Sequence, residues 1–174
     1  RGHRLGNHTY NHIRGFEYLS KNYLENTDKA NELIQTDLFR PPHGHMRWGQ
    51  YMILRNKYRI VMWDLVTRDY SKCLNGSQVL GKVKKYVRNG SIITFHDSIK
   101  SEKNLKYALP KAIEWLLEQG YEFKVFDLYP SFVLAQNDTN LILKITRLLQ
   151  FQHILIDDDK SQLVSVSCFH ISRQ

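Results

Sequence analysis

Hydrophobic and polar positions along the chain follow two rhythms that take turns. Between residues 13 and 34, Phe16, Leu19, Tyr23, Leu24, Ala30, Leu33 and Ile34 recur at loosely helical spacing, which predicts two helices or one interrupted helix. Leu38 and Phe39 make a short apolar step that Pro41, Pro42 and Gly44 stop, so a brief strand should run into a loop. Residues 48–56 read as a helix, and 58–66 as a second strand rich in β-formers. A polar loop, 67–71, comes next. Asn75-Gly76-Ser77 opens a helix that runs to about Arg88, where Asn89-Gly90 closes it. Residues 91–95 form a third strand leading straight into His96-Asp97-Ser98. A long helix over 105–119 stops at Gly120, and 121–126 read as a fourth strand.

Strand, polar loop and helix repeated at this spacing predict a parallel α/β sheet or barrel. In such folds reactive side chains gather at the carboxyl ends of strands. Arg40, Asp69 and His96 each lie just past a predicted strand end. After about Gln136 the texture changes. Residues 141–151 suit an amphipathic helix, 153–156 a short strand before Asp157-Asp158-Asp159, and 164–167 alternate like an edge strand.

The 174 residues suffice for one domain with a real core. A net charge of +8 is compatible with nucleic acid, acidic glycans or anionic membranes, but no dense Lys/Arg block exists, so a solvated basic surface is the plainer reading. Cys73 and Cys168 make neither a disulfide framework nor a metal-thiolate set. No apolar run approaches the roughly 20 residues that span a bilayer. The chain opens on Arg1-Gly2-His3-Arg4 without an initiator methionine, and the expectation is that its natural start lies upstream.

His8 and His12, four residues apart, would lie on one face of a helix with Asn7 as its cap, where both imidazoles reach a single metal ion. A bare pair at that spacing is weak evidence. Its company along the chain is what matters. Gly6 to His12 resembles His-Ser/Thr-x-x-His, the second motif of the polysaccharide deacetylases of carbohydrate esterase family four (the NodB-homology domain). Arg40-Pro41-Pro42-His43-Gly44 resembles the third, Arg-x-Pro-Tyr, with His43 in place of tyrosine. Residues 63–70 resemble the fourth, Asp-x-x-Ser-x-Asp-Trp, and Ile92 to Asp97 resemble the fifth, Ile-Val-Leu-x-His-Asp, with Thr94 replacing an apolar residue.

The resemblance implies an incomplete, distorted (β/α) barrel in residues 1–135, truncated at its N-terminus, with 136–174 a tail of unassigned role. It implies zinc or another divalent metal on His8 and His12, His96 as general acid on the departing amine, and Asp69 orienting it. Arg40 would position a catalytic aspartate, the backbone N–H of His43 would steady the oxyanion, and Trp63 and Thr94 would line an acetyl pocket. The substrate implied is an acetylated polysaccharide, chitin-like or peptidoglycan-like, at the cell envelope, and neither nucleic acid nor a transmembrane segment is called for. The family's first motif, Thr-Phe-Asp-Asp-Gly-Pro, which carries the base and a third metal ligand, does not occur before His8. Without it the chain is expected to bind metal poorly and catalyse little; truncation is the simpler account, and a permuted substitute at Asp157 to Asp159 the sharper one. His3, His43 and His45 side chains read as polar loop residues, and Asp64 and Asp97 as hydrogen-bond supports. The rival function is a non-catalytic carbohydrate-binding protein on the same fold.

Overall fold

The computed structural model describes residues 3–126 and the backbone of 163–168. Two parallel arcs of short strands carry the molecule. The first joins β1 (Leu38–Phe39) to β2 (Arg59–Ile60), with Asn7 bridging to Phe39 on the far side of β1. The second runs β3 (Leu65–Val66), β4 (Ser91–Phe95), β6 (Leu163–Cys168), β5 (Glu122–Phe123), parallel throughout. Helices α1 (Ser20–Ile34), α2 (Trp48–Leu54), α3 (Gly76–Tyr86) and α4 (Glu102–Glu118) fill the connections. The alternation of strand and helix read from the sequence is therefore present, as a mixed α/β molecule with short parallel strands.

Each arc has its own apolar cluster. Tyr23 of α1, Leu54 of α2 and Phe39 of β1 pack with Tyr58. Leu65, Ile93 and Phe95 pack with Val79 and Val83 of α3 and with Ala108, Ala112 and Leu116 of α4. The four-residue spacing of Ala108, Ala112 and Leu116 is one face of α4, and the alanines let the helix lie close to the sheet. A third cluster of Leu38, Val61 and Ile92 joins the arcs.

Three expectations change. The predicted helix start at residue 13 moves to Ser20, and 13–19 form a loop. The predicted strand over 58–66 is broken into β2 and β3. Between them the carbonyls of Val61 and Met62 accept from the Arg40 guanidinium at 2.9 Å each, while Asp64 Oδ1 accepts the Ile92 N–H at 2.7 Å. The chain there changes partner from β1 to β4, and side chains satisfy the backbone groups left between. Residues 164–167, read as an edge strand, lie inside the sheet, with β4 on one side and β5 on the other. The helix over 141–151, the strand over 153–156 and Asp157 to Asp159 lie outside the described residues.

Candidate active site

The His8-x-x-x-His12 segment is not a helix, and Asn7 does not cap one. Side-chain acceptors take the backbone donors a helix would have used. Asn7 Oδ1 accepts from Thr9 N at 3.0 Å, Asn26 Oδ1 from Tyr10 N and Asn11 N at 2.9 and 3.0 Å, and Thr9 Oγ1 from Ile13 N at 3.1 Å. Thr9 and His12 adopt left-handed backbone, at φ 60° and 54°. Asn7 is fully buried, donates from Nδ2 to the Thr27 carbonyl at 2.9 Å, and roots the loop beside β1. The two imidazoles still meet, with ring centroids 5.0 Å apart. His8 Nδ1 is 2.6 Å from the Arg40 carbonyl, so Nδ1 donates and the lone pair falls on Nε2, the tautomer that ligates metals.

Pro42–Gly44 form a single 3-10 turn after β1, with His43 left-handed at φ 56° and Gly44 at φ 71°. The His43 ring lies 4.9 Å from that of His12 and 6.2 Å from that of His45. The His43 and His45 side chains, read as plain loop residues, thus extend the histidine pair into a row. Partial desolvation holds the His43 imidazole below its ordinary range, with Arg14 and His45 adding to the effect. Gly44 leaves room for Trp63, since a Cβ there would sit 2.9 Å from the indole edge.

Arg40 is 3% exposed, and burial pushes its guanidinium down to about 10. It grips Val61 and Met62 carbonyls, reaches Thr94 Oγ1 at 3.4 Å and lies over the Trp63 ring at 5.8 Å. Thr94 thus serves the arginine with its hydroxyl.

On the second arc, the fully buried Asp69 turns both oxygens on His96. Oδ1 takes the ring Nδ1 at 2.7 Å, and Oδ2 takes the His96 backbone N–H at 2.8 Å. Two contacts to one residue fix the ring's orientation and leave Nε2 as its exchangeable position. The ring stands edge-on to Tyr70 at 4.7 Å. Asn104, on α4, was not singled out in the sequence. Its amide donates to the carbonyls of Asp69 at 2.8 Å and Leu74 at 3.0 Å. The clue was available: Asn104 lies four residues before Ala108, at the head of the buried stripe of α4, where a polar side chain calls for partners. Asp64 accepts from Ser91 Oγ at 2.9 Å and Arg88 at 3.3 Å besides Ile92 N, the supporting role expected of it.

Among the described residues no group of three His, Cys, Asp or Glu is arranged to hold a metal ion. His8 and His12 fit as two donors of such a site by the closeness of their rings, and His8 by its tautomer; they do not complete one. No described helix is long and apolar enough to cross a membrane.

Arg40, Asp69 and His96 thus stand past the carboxyl ends of β1, β3 and β4, where parallel α/β scaffolds place their sites. No family model matches the chain. It is 28% identical over 130 residues to the peptidoglycan-N-acetylglucosamine deacetylase of Bacillus cereus, a match covering 70% of this chain and 61% of that protein. Among solved structures, a family 4 carbohydrate esterase pseudoenzyme from Bacillus anthracis superposes with a TM-score of 0.60 at 27% identity, covering 67% of this chain and 42% of that one. The peptidoglycan deacetylase PdaC of Bacillus subtilis shares the fold, with a TM-score of 0.61 at 21% identity, over 87% of this chain and 72% of that one. The chain carries a polysaccharide deacetylase domain of carbohydrate esterase family four.

Proposed function

We propose that this chain carries a metal-dependent deacetylase domain that removes acetyl groups from an envelope polysaccharide. The observation that carries the reading is the buried Asp69 fixed on His96 by both carboxylate oxygens, on a chain that also brings His8 and His12 together. A divalent ion such as zinc, with His8 and His12 as two of its donors, would supply polarisation of the acetyl carbonyl and activation of water. Once water has added to the acetyl carbon, His96 gives a proton from Nε2 to the departing amine, and the C–N bond breaks to leave acetate and a free amine. Asp69 steadies the imidazolium through Nδ1 and keeps the ring aimed. Arg40 braces the passage from β2 to β3 through the Val61 and Met62 carbonyls, and the backbone N–H of His43 steadies the oxyanion. Trp63, packed against Gly44, and Thr94 bound the acetyl group. The kinship with peptidoglycan deacetylases supports an acetylated amino-sugar glycan as substrate and the cell envelope as the place of action.

Acetate release from acetylated chito-oligosaccharides, with and without added zinc, tests this. Zinc-dependent release is the expected outcome. The likeness to a pseudoenzyme favours one rival, a non-catalytic glycan-binding domain on the same fold. Glycan binding that persists in chelator, without any release, would establish that rival and overturn the catalytic reading.

A further inference from the structure

We infer that Phe16, with His45 and His43 behind it, forms a stacking platform for the sugar rings of an oligosaccharide leaving the site; the inference rests on the acetylated-glycan reading above. Phe16 is 56% exposed, although burying a phenylalanine side chain is ordinarily worth about 1.5–3 kcal/mol. Its backbone is fastened all the same. Arg47 donates to the Phe16 carbonyl at 2.8 Å, and Gly15 N donates to the His45 carbonyl at 3.1 Å. The fully buried Gln50 side chain ties the two loops, donating to the Gly15 carbonyl at 3.0 Å and accepting from Arg47 N at 2.8 Å. Gly15 is the residue that permits the approach, because a Cβ there would meet Gln50 Oε1 at 2.5 Å and the His45 carbonyl at 2.7 Å.

A buried polar clamp thus holds an aromatic ring out in solvent. That ring continues the row already described. The Phe16 and His45 centroids are 5.3 Å apart with planes tilted 31°, and His45 leads through His43 to His12. His43 and His45 are exposed as well, so the row is an accessible surface that begins at the site and runs away from it. The apolar C–H face of a pyranose packs on such rings while its hydroxyls keep their water. A single acetylated sugar would occupy the site alone; a longer glycan would reach Phe16.

NMR titration with tri-N-acetylchitotriose and with N-acetylglucosamine tests the platform. Phe16→Ala should weaken trisaccharide binding about five- to tenfold, the order of one ring stack, and leave the monosaccharide unchanged. Phe16→Tyr should restore the trisaccharide affinity. An unchanged trisaccharide affinity in Phe16→Ala would overturn the platform and spare the glycan reading. A wild-type chain that binds no trisaccharide would overturn both.

Discussion

Asp69 is useful to His96 only while its own backbone stays put, and Asn104 holds it there. Replacing Asn104 by alanine leaves the carbonyls of Asp69 and Leu74 without that donor in a buried place. The expected cost is about 1–3 kcal/mol in denaturant unfolding. If the chain is assayed for turnover, Asn104→Ala should also lower kcat more than KM, since it loosens the acid and not the sugar contacts. His43 makes a different prediction. Its imidazole is held below the ordinary range, partial desolvation first and Arg14 and His45 after, so the folded state binds its proton less readily than the unfolded chain. The stability this represents is full above the unfolded imidazole value and is lost as pH falls through the folded one. Unfolding midpoints measured between pH 7.5 and 5 should therefore drop less steeply in His43→Gln than in the wild type. An unchanged slope would remove His43 from the account.

At the scale of elements, the break between β2 and β3 decides where the site lies. Nine residues rich in β-formers read as one strand because periodicity records only which side chains suit a pleated surface. It does not record that the strand must leave β1 and join β4, nor that Arg40 will occupy the carbonyls at the changeover. Arg40→Met keeps much of the buried volume but removes every donor to Val61 and Met62. It should cost roughly 2–4 kcal/mol, more than a surface arginine, with the loss visible in the chemical shifts of residues 60–66. The loop at His8 to His12 teaches a related lesson. The i, i+4 spacing reads as helical, and the two rings do meet, but through left-handed turns stabilised by Asn7, Asn26 and Thr9.

Across the whole molecule the site is divided between the two arcs. His8, His12, Arg40 and His43 belong with the first, and Asp69 and His96 with the second. Among the described residues the cluster of Leu38, Val61 and Ile92, with the Arg40–Thr94 contact, links the halves. The proposed roles divide along the same line. Zinc binding followed by calorimetry should disappear in His12→Ala and persist in His96→Ala, whereas turnover should fall about 10²–10⁴-fold in His96→Ala. Equal loss of zinc in both variants would sink this division of labour.

The sequence by itself determined the alternation of strand and helix, the strand ends at which Arg40, Asp69 and His96 stand, and the resemblance to the deacetylases. Those are local matters: apolar period, turn residues and short motifs are written in neighbouring positions. Tertiary structure alone decided that the histidine pair sits on a loop, that Asn104 braces Asp69, that residues 163–168 lie within the sheet, and that His43 and His45 form a row with Phe16. Each depends on which distant backbone groups compete for the same hydrogen-bond partners. That competition has no period, and along the chain it leaves at most a polar residue in an apolar stripe, as at Asn104.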